Sequence, residues 1–529
     1  MKRMTKLLSL ALSAVLLTAA VSGCAKIEQT GGDGKTVVIG ADTDLKTLDP
    51  GMMYEVYGNL VTYAAYDMLF RVKGEDMANP QPSIATEDWT LDDTRTLYTF
   101  PIREGVKFSS GNELTAKDVV FSIQRVQGMT ASSNQAHVAG IESVTAPDDH
   151  TVVIKLKAPD ASFLTKLASN AFCILDSETV KANGGTTEKD KDTATEWLNS
   201  HSAGSGPFVL ESWTPKDQLV LTKNKDYWGE TGNVEKVIIK EVPDANTQIQ
   251  MLQNDEIQVA LSVNQDNVAT LEGKEGIAIK TATSAVCTFL MMNNDPAIGK
   301  EMANPKVQQA VRYALDYEGL KKLAGGNATL PLSIIPQGFV GAMNRPDNYQ
   351  DIEKAKALMK EAGYENGFSV ELTVANAVTE GLQWTTLAQK IQSDLKVIGI
   401  DVQLKTVEMT IMLDPYRKGE LPFLVMYWTP DYYDINNQLE FLPGRSIAQR
   451  AKWSAEGHED MLALGDKITS ESDAAKRAEY SKELQELMAE DCPYAFLLQH
   501  PKTYALSSKL QNVAYNDLCK IQLAELSVA

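Results

Sequence analysis

The sequence predicts a mixed α/β protein with more than one domain. Its 529 residues are too many for one compact hydrophobic core, so we expect two or three domains. Segments with strand-type alternation, such as HTVVIKLKAP at 150–159, occur together with segments of helical spacing, such as DIEKAKALMKEAGY at 351–364. With 43% hydrophobic and 23% charged residues, the composition is that of an ordinary globular protein.

Three segments in the first third of the chain are predicted strands. KTVVIGA at 35–41 is a short apolar run, and the segments 95–108 and 150–159 alternate apolar with polar residues. Because successive side chains point to opposite faces of a strand, each alternating segment offers one face to a core. The apolar positions of the two alternating segments are Tyr98, Phe100, Ile102, Val152, Ile154 and Leu156.

Two later segments predict amphipathic helices. In 351–364 the apolar residues recur every three or four positions, Asp351 is placed to cap the first turn, and Gly363 is placed to end the helix. The segment AKRAEYSKELQELMAED at 475–491 has the same spacing and ends before Pro493. Helices and strands therefore interleave along the chain.

The net charge restricts the partners. The chain has 70 acidic residues against 50 Lys plus Arg, which gives a formal charge of −20. A surface this acidic argues against nucleic acid or an anionic membrane face as the main partner. An acidic surface of this kind is compatible with cationic ligands.

Residues 1–23 have the pattern of a secretory signal peptide. MKRMTK supplies basic residues, residues 7–20 are apolar, and VSGC follows at 21–24. The apolar run is too short to span a bilayer. The residues ending at Cys24 resemble a bacterial lipobox, which implies lipidation of this cysteine; the alternative is ordinary cleavage nearby, with Cys24 a plain thiol. Lipid on Cys24 would hold the protein at a membrane.

Residues 24–35 predict a polar, glycine-rich tether. Its GGDGKT stretch is similar to a phosphate-binding loop, but Gln29 stands where that motif needs glycine and no strand precedes it. No later apolar run is long enough to span a bilayer. We therefore expect an extracytoplasmic protein, at the cell surface or in the periplasm. We expect it to be attached to the membrane through lipid only.

The other cysteines and the histidines give no metal or catalytic signature. In an oxidising compartment, Cys173, Cys287, Cys492 and Cys519 allow one or two disulfides, with Cys492 and Cys519 as one candidate pair, or inert thiols. The five histidines lack metal-ligand spacing. No Gly-x-Ser-x-Gly elbow occurs. We expect no metal, no cofactor and no enzymatic activity.

Six blocks of sequence, taken in order, resemble a known family. The longest is WTLDDTRTLYTFPIREGVKFSSGNELTAKDVVFSIQRV at 89–126. The others are KTLDP at 46–50, GSGPFVLESW at 204–213 with KNKDYWG at 223–229, PKVQQAVRYALDYEGL at 305–320, DIEKAKALMKEAGY at 351–364 and KVIGIDVQLKTVE at 396–408. Together they resemble the extracellular solute-binding proteins, family 5, of peptide and nickel ABC importers.

The resemblance implies a two-lobed, periplasmic-binding-protein-like clamp with an extra subdomain in the N-terminal lobe. It places lobe I at 36–285 plus 500–529, the extra subdomain at 71–203 and lobe II at 286–499. The implied ligand is a short peptide, and the implied partners of the monomeric protein are the permease and ATPase subunits of an importer. Because a fold does not determine its ligand, a nickel complex, haem, an oligosaccharide or a peptide-sensing role remain alternatives.

The resemblance also implies two ligand-contact segments. One follows the LDP block, and the other has the pattern aromatic, Trp, two residues, Asp, in which the family's Asp binds the ammonium group of a peptide. The matching residues here are Tyr54, Glu55, Val56, Tyr427, Trp428, Thr429 and Asp431. The alternatives are that the first segment belongs to the core and that Asp431 caps the turn after Pro430.

Four residues near the second contact segment carry expectations of their own. Pro430 has no N–H, so it accepts but does not donate in strand pairing. Asp434 is a second carboxylate, which we expect to be solvated or close to a hinge. Arg445 and Arg450 follow in the same lobe, but the sequence does not place either of them in the cleft.

Overall fold

The computed structural model describes residues 34–529, and its secondary structure is mixed α/β. The predicted signal peptide 1–23, the lipidation of Cys24 and nearly all of the tether 24–35 lie outside the described residues and stay predictions. Within the described part of the chain, no helix has both the length and the apolar character that a membrane crossing requires.

A seven-stranded sheet combines strands from both ends of the described chain. Strand Thr36–Ala41, predicted from KTVVIGA, lies inside this sheet with all residues but Thr36 buried, and it pairs in parallel with Lys236–Glu241. In spatial order the strands are Ile277–Ala282, Lys502–Ser507, Val259–Ala260, Thr36–Ala41, Lys236–Glu241, Gln218–Lys223 and Phe208–Thr214.

A four-stranded antiparallel sheet forms a separate core between residues 90 and 156. Phe100, Val152 and Ile154 are fully buried in it, which confirms the predicted alternation. Helix Ala116–Gly128 packs on this sheet through Val119. The strands in spatial order are Thr90–Leu91, Leu97–Pro101, Thr151–Leu156 and Ile141–Asp148.

A five-stranded sheet is built from residues between 287 and 499. Its central strand, Phe423–Trp428, pairs antiparallel with Cys287–Met292 and runs parallel to Phe368–Ala375. In spatial order the strands are Ile400–Val407, Phe368–Ala375, Phe423–Trp428, Cys287–Met292 and Tyr494–Gln499.

The chain passes twice between the seven-stranded and the five-stranded sheets. It leaves the seven-stranded sheet after Ala282 and enters the five-stranded sheet at Cys287, and it returns between Gln499 and Lys502. The proposed boundaries of lobe I, the extra subdomain and lobe II stay predictions.

Both predicted helices are confirmed. The first runs from Ile352 to Glu361, the side chain of Asp351 accepts a hydrogen bond from the N–H of Lys354 at 2.9 Å, and Gly363 follows with a φ of +84°. The second is Ala474–Glu490. Capping and periodicity were therefore sufficient to locate these elements.

The remaining elements cover the sheets or form short hairpins. The other α-helices are Gly58–Ala65, Gln135–Val138, Phe163–Lys166, Ser177–Ala182, Thr195–Leu198, Ala245–Gln253, Gln265–Leu271, Pro296–Gly299, Pro305–Ala314, Tyr317–Leu323, Trp384–Lys396, Met409–Lys418, Ile435–Gln438 and Glu459–Ser470. The 3₁₀ helices are Asn170–Phe172, Lys300–Ala303, Leu439–Phe441, Ala448–Ala451 and Leu523–Glu525. The two-stranded ribbons pair Phe70–Lys73 with Asp76–Pro82, Val378–Thr379 with Leu382–Gln383, Leu510–Gln511 with Ser527–Val528, and Tyr515–Asn516 with Lys520–Ile521.

The four cysteines of the described chain are free thiols. Cys173, Cys287, Cys492 and Cys519 are all buried and unbridged. The Sγ atoms of Cys492 and Cys519 each bond to a nearby oxygen, at 3.2 Å in both cases. The disulfide alternative, including the pair of Cys492 with Cys519, is therefore wrong, and the thiol alternative holds.

Candidate functional site

A cavity of about 330 Å³ opens where segments from distant parts of the chain meet. It is lined by residues of 54–59, helix Met409–Lys418, 426–431 and 517–520, and by His137, Asn170 and Arg450. All seven ligand-contact residues expected from the sequence line this cavity: Tyr54, Glu55, Val56, Tyr427, Trp428, Thr429 and Asp431. The fold therefore brings both expected segments to one place.

The residues before Tyr54 are anchored in the core. Asp49 is fully buried and accepts hydrogen bonds from the guanidinium of Arg125 at 2.8 and 2.7 Å. Met53 is also buried, and two asparagine side chains donate to its carbonyl oxygen. Beyond this anchor, Tyr54 and Val56 are 49% and 47% exposed. Met53 therefore belongs to the core, as the alternative interpretation of this segment expects, whereas Tyr54 and Val56 lie at the cavity wall.

Asp431 lies just beyond the end of strand Phe423–Trp428. Its Oδ1 accepts a hydrogen bond from the hydroxyl of Tyr54 at 2.7 Å. Its Oδ2 is 3.8 Å from Nε2 of His137. The N–H of Asp431 donates to Oδ1 of Asn437 at 3.0 Å, which positions the residue. The side chain is 23% exposed, so the carboxylate is accessible from the cavity.

The surroundings of Asp431 favour its ionised form. Burial raises the pKa of this carboxyl, but hydrogen bonding and charge from His137, together with the hydroxyl of Tyr54, lower the pKa below its usual value. A carboxylate that remains charged inside a partly enclosed cavity attracts cations. The cavity therefore has a defined anionic point.

The two aromatic residues at the end of the strand pack on the core and also line the cavity. The ring of Tyr427 meets Trp384 edge to face at 5.8 Å, and Trp428 meets Phe441 in the same way at 5.5 Å. Nε1 of Trp428 is buried and, within residues 34–529, has no hydrogen-bond partner. This nitrogen is therefore a buried, unsatisfied donor next to the cavity wall.

Asp434 and Arg445 do not line the cavity. The expectation that Asp434 is solvated is wrong, because it forms a nearly buried ion pair with Arg477 at 2.6 Å, whereas its closeness to a hinge stays a prediction. Arg445 pairs with Asp466 at 3.2 Å on an exposed surface. Arg450, in contrast, lines the cavity.

The two tyrosines that follow Asp431 belong to the packing. Tyr432 and Tyr433 are each 7% exposed. Tyr432 meets the ring of His137 edge to face at 5.6 Å, and Tyr433 packs on Phe339 at 4.2 Å. Tyr432 thus supports the imidazole that lies next to Asp431.

Sequence reasoning missed six polar cavity residues: Asn59, His137, Asn170, Arg417, Asp517 and Lys520. Each stands in a segment without motif or spacing, so no signal in the sequence identifies it. Their proximity depends on how the sheets and helices assemble. In the described part of the chain, no group of three or more His, Cys, Asp or Glu residues is placed to hold a metal ion.

Comparison with known proteins identifies the family of this chain. The family model described as bacterial extracellular solute-binding proteins, family 5 Middle, matches residues 79–448, which is more than half of the chain. The chain belongs to this family. Family 5 is a class of solute-binding transport proteins, and the family resemblance stated from the sequence blocks is confirmed.

Curated relatives align over most of the family 5 protein. The "Probable D,D-dipeptide-binding periplasmic protein DdpA" of Escherichia coli K12 is 26% identical over 91% of this chain and 92% of its own length. The "Dipeptide-binding protein" of the same strain is 29% identical over 80% of this chain and 81% of its own length.

A solved structure confirms the fold. The periplasmic binding protein DppA of Helicobacter pylori, in complex with the peptide STSA, superimposes with a TM-score of 0.77 at 25% identity, covering 93% of this chain and 98% of that one. The predicted two-lobed clamp of mixed α/β structure is therefore confirmed for this family 5 protein.

Proposed function

We propose that this family 5 protein captures short peptides outside the cytoplasmic membrane and delivers them to the permease of an ABC importer, whose ATPase subunits drive uptake. The family, the two-lobed fold and the peptide-binding names of the relatives support this assignment. Lipid at Cys24 and a monomeric state belong to the same proposal. In the monomer, the lipid is the only membrane attachment.

One observation carries the proposal: the carboxylate of Asp431 lines the cavity and is held ionised. The α-amino group of a peptide is cationic at neutral pH. In a partly enclosed site, a charge-assisted hydrogen bond between the two groups contributes roughly 1.5 to 3 kcal/mol. Asp431 therefore serves as the ammonium partner.

The strand leading to Asp431 suits the main chain of an extended peptide. Tyr427 and Trp428 pair with Thr288 and Cys287 on one edge. On the other edge a peptide main chain can pair by strand addition, through hydrogen bonds that do not depend on the ligand's side chains. Pro430 interrupts the ladder because it lacks an N–H, so we expect pairing to stop where Asp431 begins its contact.

The size of the cavity supports short ligands. Sites for small molecules typically enclose about 300 to 1,000 Å³, and this cavity, at about 330 Å³, is near the lower end. One set of proposed contacts follows strand Thr36–Ala41 of the seven-stranded sheet, and the other lies at the end of strand Phe423–Trp428 of the five-stranded sheet. A peptide bound to both favours the closed arrangement of the clamp.

Calorimetry with di- to pentapeptides, each with a free or an acetylated N-terminus, tests the proposal. We expect the free peptides to bind and acetylation to weaken binding at least about tenfold. Equal affinity for both forms would show that Asp431 is not the ammonium partner. If no peptide binds, the substrate class is wrong; mass spectrometry of the material that copurifies with the protein then identifies the solute.

A further inference from the structure

Two units of the protein meet beside Asp431. The four-stranded unit, residues 90–172, packs helix Phe163–Lys166 into the core of the four-stranded sheet. The five-stranded unit, residues 287–499, packs helix Ile435–Gln438 into the core of the five-stranded sheet. Hydrogen bonds and one aromatic ring connect these two helices and the residues that flank them.

The side chain of Asn436 bridges the two units. Its Nδ2 donates to Oδ1 of Asp160 at 3.1 Å and to Oγ of Ser162 at 3.2 Å. Close by, the N–H of Ala161 donates to the carbonyl oxygen of Thr469 at 2.9 Å. Asn436 and Ser162 are 7% and 0% exposed, so water competes little for the bridging bonds.

The ring of Tyr432 lies between two side chains of the four-stranded unit. Nζ of Lys166 is 5.0 Å from the centroid of this ring, and the ring of His137 meets it edge to face at 5.6 Å. A cation over the face of an aromatic ring is attracted to it. Because Tyr432 directly follows Asp431, these contacts hold the segment that carries the proposed ammonium partner.

The short helix Ile435–Gln438 connects this contact to the cavity. Oδ1 of Asn437 accepts the N–H of Asp431 at 3.0 Å, whereas the preceding residue, Asn436, bonds to the four-stranded unit. Oδ1 of Asn436 also accepts from Arg477 at 3.1 Å, which holds the helix on its own unit. One element therefore positions Asp431 and carries the bridge between the units.

The four-stranded unit also forms part of the cavity wall. His137 and Asn170 belong to this unit, and both line the cavity together with Asp431 of the five-stranded unit. Separation of the two units would therefore open the wall. The bridging side chains themselves, Asp160 and Asn436, do not line the cavity, so they act on the wall without touching a ligand.

The contact between the units is polar and charged. Nζ of Lys166 is 2.6 Å from Oδ2 of Asp160. Burial raises the pKa of the Asp160 carboxyl, but the charge of Lys166 and hydrogen bonds from Lys166 and Ser162 lower the pKa below its usual value. Asp160 is therefore an ionised acceptor for the amide of Asn436. Polar contacts between units are typical of units that move relative to each other.

We propose that the four-stranded unit is a latch, which closes the cavity by docking Asp160, Ser162 and Lys166 on Tyr432 and Asn436. The inference rests on the proposed function where it concerns the ligand, because the latch holds a bound peptide in the same cavity. A bound peptide leaves after the docked contact has separated. The latch thus controls the rate of release and makes no contact with the ligand.

Asn436→Asp tests the latch because it replaces the bridging amide with a second carboxylate that faces Asp160. The fold tolerates a carboxylate at this position, since Oδ1 of Asn436 already accepts from Arg477. The double variant Asp160→Asn with Asn436→Asp restores donor and acceptor in the reverse order. Asn183→Asp is the matched control, because Nδ2 of Asn183 donates to the carbonyl oxygen of Thr179 at 2.8 Å and not to the other unit.

Hydrogen–deuterium exchange measured by mass spectrometry reports docking in the ligand-free protein, through the amide of Ala161. We expect Asn436→Asp to speed the exchange of this amide by about tenfold or more, because like charges then face each other. The double variant should return towards the wild-type rate, and Asn183→Asp should match the wild type. Lys166→Gln, which removes the cation from the contact, provides a second variant and should also speed exchange. Thermal melts verify that each variant is folded.

Stopped-flow tryptophan fluorescence measures the release of dialanine, with Trp428 on the cavity wall as a reporter. We expect Asn436→Asp to release dialanine about tenfold faster than the wild type, and the association rate to change much less. The double variant should restore slow release. Asn183→Asp should release the peptide at the wild-type rate.

Three results would overturn the inference. The first is an Ala161 amide that exchanges equally fast in the wild type, in Asn436→Asp and in Lys166→Gln, because the units then do not dock through this contact. The second is faster exchange with unchanged release of dialanine, because docking then does not retain the ligand. The third is a double variant that behaves as Asn436→Asp does. If dialanine and longer peptides all fail to bind the wild type, the proposed function is rejected together with the retention of peptides, and the exchange of the Ala161 amide still decides whether the units dock.

Discussion

The hydroxyl of Tyr54 donates a 2.7 Å hydrogen bond to Oδ1 of Asp431 across 377 positions of the sequence. Tyr54 follows strand Thr36–Ala41 of the seven-stranded sheet, and Asp431 follows strand Phe423–Trp428, the central strand of the five-stranded sheet. The bond therefore connects structural units that the sequence keeps far apart. It also places a neutral donor on the carboxylate that we assign to the ligand's ammonium group.

Tyr54→Phe should weaken peptide binding by about 0.5 to 1.5 kcal/mol, the usual contribution of one neutral hydrogen bond. The hydroxyl orients Asp431 and joins the two contact segments, so its loss leaves the carboxylate less well placed. Calorimetry with a free dipeptide measures the change, and Tyr480→Phe, in helix Ala474–Glu490 and outside the cavity lining, is the matched control. Tighter binding by Tyr54→Phe would instead show that the hydroxyl competes with the ligand.

Asp431→Asn should reduce the affinity for peptides with a free N-terminus by about 10- to 100-fold, because the charge partner of the ammonium is lost. N-acetylated peptides should be affected much less. A titration that gives the same loss for both ligand forms contradicts the assignment.

The same pair predicts how binding depends on pH. The pKa of Asp431 is lowered, so its charge persists at acidic pH and binding weakens only as the pH falls through that lowered pKa. Above about pH 8 the α-amino group of the ligand loses its proton, and affinity should fall. Affinity measured from pH 4 to 9 should therefore show a plateau between these limits for free peptides; acetylated peptides should lack the alkaline decline.

His500 should make the stability of the protein sensitive to mildly acidic pH. It is 1% exposed, its Nε2 lies 2.5 Å from Oγ1 of Thr288, and burial lowers its pKa to about 4. As the pH falls from about 6.5 towards 4, the unfolded chain binds a proton that the native protein does not, so the free energy of unfolding decreases. The full effect is about 3 kcal/mol and is absent above this window.

Urea unfolding at pH 7.5, 6 and 5 measures this effect. His500→Gln should have a flatter dependence on pH than the wild type, and the exposed His201→Gln is the matched control. Parallel profiles for the wild type and His500→Gln would contradict the prediction.

Arg125→Leu should lower the free energy of unfolding by about 3 to 5 kcal/mol. The guanidinium is fully buried between Asp49 and Asp192, and its removal leaves buried carboxylates without a counter-charge. Urea denaturation measures the loss. Arg445→Leu, which breaks an exposed pair, should change little; equal effects of the two substitutions would argue against a structural role for the buried pair.

The four thiols should be unreactive until the protein unfolds. All are buried, and burial raises the pKa of Cys519 to about 11 and also raises the pKa of the other thiols. Alkylation followed by peptide mass spectrometry should label them only in denaturant, and a reductant should leave the melting temperature unchanged. A melting temperature that falls on reduction would indicate a disulfide.

Much of the fold was predictable because local patterns carry it. Asp351 and Gly363 bound a helix whose ends follow capping rules, and the alternation around Val152 and Ile154 matches a strand with one buried face. The expectation for Asp434 failed because its partner Arg477 is distant in sequence. The disulfide alternative failed because cysteine spacing does not report distances in space.

The sequence by itself determined the fold class, the family, and two short segments, around Tyr54 and Asp431, that line the candidate site. These follow from motifs that are contiguous in the chain, where spacing and residue type suffice. Only the tertiary structure decided that both segments share one cavity and that His137, Arg417, Arg450 and Lys520 line it with them. The physical reason is that charge and hydrogen bonding act over a few ångströms, and only the assembly of the sheets and helices brings these side chains within that range.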